Sequence, residues 1–295
     1  MAKTLAFCLI VTIVAWTTSP DFALGQGLLS AASSESRADD PDPPKPQKKK
    51  KHHHYDDDCD DDDSFGDVLA EAAFAAILGS MFPKRTTTTV YTTESGPTVS
   101  REIIALPGYF SDYPYQHEFG YMLMGDEWYG IGKTSSIRAS VEHGNDFQDL
   151  TRIGTKLLVE GTSKWGLDMQ WDEYFENLST GGTDQLSMGD INLMYRFGQG
   201  YHNQLRFGLG ANYLHDRHGS EYGLNFTGGY DAYLGKPWIW STEFDLGKVG
   251  SADLFRFRTT LGLQWKRAEV FAGYQYTNLE GIELDGFLSG LRIWF

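Results

Sequence analysis

From about residue 134 to the C-terminus, apolar side chains recur at every second position, and this period constrains the chain more than any other feature. Leu205, Phe207, Leu209, Ala211 and Tyr213 interleave with Arg206, Gly208, Gly210 and Asn212. Trp238, Trp240, Thr242, Phe244 and Leu246 interleave with Ser241, Glu243, Asp245 and Gly247, and Phe255, Phe257, Thr259, Leu261, Leu263 and Trp265 with Arg256, Arg258, Thr260, Gly262 and Gln264. A period of two is that of a β-strand with one apolar and one polar face. About ten such segments are readable, near 133–142, 150–160, 164–174, 186–197, 203–213, 222–234, 237–247, 253–265, 268–277 and 284–295. Each approaches the ~9–11 residues that a tilted spanning strand needs.

Alternation does not say which face is outside. A soluble secreted barrel, a binding protein, would turn the apolar face inward. Three features favour the inverted arrangement, with lipid outside. Gly154, Gly166, Gly208, Gly210, Gly223, Gly229, Gly262, Gly273 and Gly290 lie on the polar face, where a crowded lumen would use them to make room for Arg and Glu. If the last strand ends in the periplasm, the connections near 161–163, 198–202, 235–236 and 266–267 become short turns. Those near 143–149, 175–185, 214–221, 248–252 and 278–283 become longer outer loops, an asymmetry of membrane barrels. Trp165, Trp238, Trp240, Trp265 and Trp294 gather near one rim, and Tyr174, Tyr213, Tyr222, Phe255 and Tyr276 near the other, as two interfacial girdles.

The C-terminal run Phe287-Leu288-Ser289-Gly290-Leu291-Arg292-Ile293-Trp294-Phe295 resembles the last strand of bacterial outer-membrane β-barrel proteins. The resemblance implies that Phe295 is part of an assembly signal. It also implies that outer-membrane lipid and the barrel assembly machinery are partners. The expected fold is all-β: a closed antiparallel transmembrane barrel of about ten strands (8–12) over 133–295, with the apolar faces toward lipid.

The remainder divides by composition. Lys3, the apolar run Leu5–Trp16 and the small residues to Ala23-Leu24-Gly25 have the three parts of a secretory signal, so 1–25 reads as a cleaved signal peptide and the outer membrane as the destination. Residues 26–63 read as a disordered Lys/His/Asp-rich tail. Ser64 with Asp67, then Val68, Leu69, Ala72, Ala73, Ala76, Ile77 and Phe82, predict a short Ala-rich amphipathic helix over 64–82. Residues 83–132 form a Gly- and aromatic-rich segment without clear period, within which 86–93 favours extended structure. The formal net charge of −15 excludes nucleic acid as a partner. The P-loop-like Gly130-Ile131-Gly132-Lys133-Thr134 has Glu127 where the motif requires Gly, which excludes nucleotide binding.

Candidate chemistry is sparse. His52, His53, His54 and Cys59, set among seven aspartates, are weak divalent-metal candidates without a geometry-fixing spacing; no cofactor is expected otherwise. His143 beside Glu142, and His215, Asp216 and His218 near Glu221, are the candidates for a rim hydrolase acting on lipid or peptide, but no Ser-centred signature accompanies them. A shared carboxylate between His143 and either His215 or His218 would support that reading. In the lumen, symmetric pairing about 250/251 sets Asp245 opposite Arg256 and Glu243 opposite Arg258, two expected ion pairs. The leading reading is therefore a structural or surface-binding barrel, its sequence showing no catalytic constellation, with a largely plugged, charge-lined lumen and an extracellular or periplasmic ligand. The rim hydrolase, a narrow pore and a soluble barrel are the alternatives.

Overall fold

The computed structural model describes residues 27–37, 82, 84–93, 96–147, 150–178 and 181–295. Among the described residues a helix, α1 (Leu28–Ser36), comes first. It is followed by an antiparallel ribbon of β1 (Lys84–Thr93) and β2 (Gly96–Ala105) and by a short pair, β3 (Gly108–Phe110) and β4 (Met122–Met124). The barrel is then built from β5 (Ser135–Asn145), β6 (Leu150–Gly161), β7 (Trp165–Asn177), β8 (Thr183–Gln199), β9 (Asn203–Asp216), β10 (Gly219–Gly235), β11 (Trp238–Val249), β12 (Ala252–Trp265) and β13 (Ala268–Leu279). The two-residue β14 (Ile282–Glu283) folds back on β13, and the last strand is β15 (Gly286–Trp294).

Ten antiparallel strands close the sheet: each pairs with its neighbour along the chain, β13 pairs with β15, and β15 returns to β5. Closure leaves no barrel edge, which is the condition for placing a sheet in lipid, where every N–H and C=O must be paired internally. The parity of the sequence sets the faces. Leu209, Phe257 and Leu261 are exposed on the outer wall, with Leu205, Phe207 and Leu291 half-buried among their outward neighbours. Arg196, Arg206 and Arg256 are among the largest fully buried side chains. Apolar outside and charged inside is the inverted order of a membrane barrel. The lumen glycines make that packing possible: a Cβ on Gly262 would stand 2.0 Å from Glu269 Oε1, and one on Gly229 would meet the Arg206 guanidinium at 2.9 Å.

Four expectations are corrected. Strands run further than the alternation suggested, so the expected loops 214–221 and 248–252 shrink to the tight turns at Arg217–His218 and Gly250–Ser251. Tyr174 and Trp294, expected in the girdles, are each 1% exposed and face inward, because they share the parity of Asp172 and Arg292. Residues 28–36, expected within the tail, are helical; α1 has no side-chain N-cap of its own and is held by the barrel. The 83–132 segment contains the β1–β2 ribbon and the β3–β4 pair. The signal peptide, residues 38–63 with their His/Cys/Asp block, and the 64–82 helix except Phe82 lie outside the described residues.

Candidate functional site in the lumen and at the two mouths

Inward parity from all ten strands brings charges together along the lumen. Toward the turn end, Arg196 pairs with Glu160 at 3.1 Å and Arg292 with Glu269 at 2.7 Å. In the middle, Asp231 takes Arg138 at 2.9 Å and also Arg206, while Glu243 takes Arg206 at 2.9 Å and Lys156 at 2.7 Å. Lys156 also meets Asp168 at 3.1 Å. Toward the loop end, Arg152 bridges Glu142 at 3.0 Å and Asp172 at 2.6 Å. Buried charges at this density are tolerable only because each ion has a partner and several have two.

The β11–β12 register sets Asp245 opposite Arg256 and Glu243 opposite Arg258, as symmetric pairing about 250/251 requires. The contacts then diverge from simple pairing. Arg256 reaches Asp245 at 3.5 Å but sits closer to Asp190 of β8, at 2.8 Å. Arg258 does not pair with Glu243; it turns across the lumen to hold both carboxylate oxygens of Glu142 on β5. Glu243 is already occupied by Arg206 and Lys156. In a narrow closed barrel, the carboxylate across the lumen competes with the one on the neighbouring strand.

Each mouth is occupied by a segment from before the barrel. At the loop end, α1 sets Leu29 and Ala32 into a ring of inward residues that includes Leu150, Leu186, Leu214, Leu254 and Leu279. The N–H groups of Gly27, Leu28 and Leu29 donate to the Glu176 carboxylate at 2.7, 2.9 and 2.9 Å, so a barrel residue caps the helix. At its other end, Arg37 binds Asp216 through both terminal nitrogens, and the Ser251 N–H donates to the Ser36 carbonyl at 3.0 Å. Gly250, with φ +58°, lets that carbonyl approach; a Cβ there would lie 2.0 Å from it.

At the turn end, the chain from Gly108 to Lys133 crosses beneath the lumen and leads directly into β5. Phe110, Tyr121 and Met122 pack with Tyr233, Ile239 and Trp294 of the barrel. Tyr121 meets Trp294 edge-on at 4.7 Å, and Arg196 lies 4.8 Å over the Phe110 ring. The Gly120 N–H donates to the Tyr201 carbonyl at 3.0 Å, and Phe110 and Lys133 exchange backbone bonds at 3.0 and 2.9 Å. Sequence reading gave this segment no role, although its ring density was the available signal.

The rim candidates do not converge. His143 lies on the outer wall of β5, opposite Ser289 of β15. His215 Nδ1 contacts Ser220 Oγ at 2.9 Å, and His218 Nδ1 contacts Asp216 at 3.0 Å. Asp216 receives Ser33, Arg37 and His218 but not His143. Ser33 donates to Asp216, not to a histidine, so no nucleophile–base pair forms around that carboxylate. Burial pushes the Asp216 carboxyl up, but the bonds from Arg37, Ser33 and His218 outweigh it and hold it well below the usual carboxylate range. Phe295 is exposed beyond β15, its backbone bonded to Ile137. Among the described residues no group of three or more His, Cys, Asp or Glu is arranged to hold a metal.

No protein-family model matches the chain, and no curated protein matches it. Among solved structures, the chain is similar to Ail, the attachment invasion locus protein of Yersinia pestis, at 12% identity and a TM-score of 0.27, covering 55% of this chain and 96% of that one. It is also similar to CdiB from Acinetobacter baumannii, at 10% identity and a TM-score of 0.27, covering 68% of this chain and 45% of that one, so it spans under half of the CdiB chain.

Proposed function

We propose that the protein is a non-conducting outer-membrane barrel, with a structural or binding role carried by its outer surfaces and not by its lumen. The observation that carries this reading is the continuous filling of the barrel axis: α1 in one mouth, a cross-linked charge network behind it, and an aromatic layer in the other mouth. Ten-stranded barrels are already narrow, and wide aqueous channels belong to barrels of about 16–18 strands. The apolar outer wall supports membrane residence, and the terminal Phe295 and the signal-like 1–25 support the outer membrane. The test is single-channel recording on the full mature chain refolded into planar bilayers, with heat-modifiable gel mobility as the folding control. Folded protein should give no conductance steps, whereas regular steps from folded protein would replace this reading with the narrow pore.

A further inference from the structure

The outer wall is not uniformly apolar. Between β11 and β5 it carries a groove of 1080 Å³ whose floor is short or polar where the rest of the belt is bulky. Leu261, Ala272, Ser289 and His143 stand in one cross-strand row, so small side chains and an imidazole lie where leucines and phenylalanines lie elsewhere. Thr259 borders the same floor, receiving Trp240 Nε1–H at 2.9 Å. An ionisable side chain on a membrane-facing wall is rare and marks a candidate functional position.

At its loop end the groove runs into a second hollow of 230 Å³ through Phe147, Tyr274 and Phe287, which line both. The rings are set together, Phe147–Phe287 at 5.8 Å and Tyr274–Phe287 at 5.6 Å. Asp146, Glu283 and Asp285 line the hollow; Glu283 accepts the Tyr276 hydroxyl at 2.7 Å and Asp285 the Tyr274 hydroxyl, each through one oxygen, Asp146 accepts the Leu150 N–H at 3.0 Å, and among the described residues lining either cavity there is no Lys or Arg. Aromatic faces with carboxylates attract an ammonium group. They repel a headgroup carrying only negative charge.

We propose that these two hollows form one lipid site for a zwitterionic aminolipid of the phosphatidylethanolamine type. The groove is continuous with the lipid-facing belt and takes an acyl chain. His143 and Ser289 offer hydrogen bonds to the ester region, and the protonated amine sits among Glu283, Asp285 and the rings. This rests on the membrane reading above.

The test uses the full mature protein in detergent micelles doped with equal amounts of phosphatidylethanolamine or phosphatidylglycerol, with retained lipid counted by native mass spectrometry. Wild type should retain the aminolipid about tenfold over phosphatidylglycerol, equivalent to about 1.4 kcal/mol. Glu283→Gln with Asp285→Asn, both exposed, should abolish that preference while acyl retention persists. Ala272→Phe, which fills the floor, should retain neither lipid while keeping heat-modifiable mobility. Equal retention of both lipids by wild type, or unchanged retention by Ala272→Phe, would overturn the site. A protein that stays monodisperse after detergent removal would instead overturn the membrane reading.

Discussion

The two mouths of the barrel are occupied by different chemistries. The loop mouth holds Gly27–Arg37, a segment far from the barrel in sequence, through a few charged contacts at Glu176 and Asp216 and a small apolar contact at Leu29 and Ala32. The turn mouth holds Gly108–Lys133, which is continuous with β5, through interlocked rings and backbone bonds. The first assembly contributes no strand to the barrel sheet, so its release is expected to leave the strand pairing intact. The second is part of the core that sets where β5 begins. The difference teaches that an obstructed lumen can combine a separable element with an integral one.

The largest effect should come from the integral mouth. Phe110 is fully buried under Arg196. Phe110→Ala should cost about 3–5 kcal/mol, because the cavity forms where covalent continuity with β5 limits collapse. Urea unfolding followed by tryptophan fluorescence should show it as a lowered midpoint for the whole barrel. A loss confined to residues 108–133, with the barrel midpoint unmoved, would break the proposed contrast.

The lumen between the mouths gives the next effect. Arg258→Ala leaves Glu142 with Arg152 as its remaining ion-pair partner among the described residues. Breaking a buried pair from one side costs about 3–5 kcal/mol, and the remaining Arg152 should keep the loss toward the lower end. Removing Glu142 as well should recover part of it, and removing Glu243 with Arg258 should not. Double-mutant unfolding would decide; a recovery with Glu243 instead would return the partnership to the neighbouring strand.

The same residues show how far the sequence could be read. The strand period is local, so ten strands, their faces and the Glu243/Arg258 register follow from counting along the chain. The choice of Glu142 as partner is not local: β12 and β5 are separated by β13 and β15, and only closure brings their side chains across a common lumen. α1 was unreadable for a similar reason. Its nine residues, LLSAASSES, have little amphipathic pattern and no cap of their own, so the helix depends on the Glu176 carboxylate 147 residues away from Leu29. The turn-mouth segment showed its aromatics but not their target, since Tyr233, Ile239 and Trp294 reach it from three separate strands. The outer groove is a row of residues from four strands, and no single strand's pattern discloses it.

The smallest predicted effect separates the mouths by pH. Asp216 binds Arg37, Ser33 and His218, and Arg37 also approaches Glu221 at 3.5 Å. These bonds hold the Asp216 carboxyl below its ordinary range despite the opposing effect of burial. A carboxyl with a folded pKa below its unfolded value of about 3.9 contributes stability that is present above that value and lost as pH falls through it toward the folded pKa. α1 should therefore hold at neutral pH and loosen progressively below about pH 4. At the turn mouth Asp112 pairs with Lys133 at 2.8 Å on the half-exposed rim and Glu269 accepts Trp294 Nε1–H at 3.1 Å behind the rings, but the segment is held chiefly by packed rings and backbone bonds and should stay docked over the same interval. Hydrogen exchange of residues 27–37, normalised for the intrinsic pH dependence of exchange, should rise in acid while that of 108–133 stays protected. Asp216→Asn should raise exchange of 27–37 already at pH 7 and remove the acid step. If the variant keeps the step, another carboxylate at the loop mouth governs the docking of α1. If both mouths loosen together, the distinction between separable and integral elements fails.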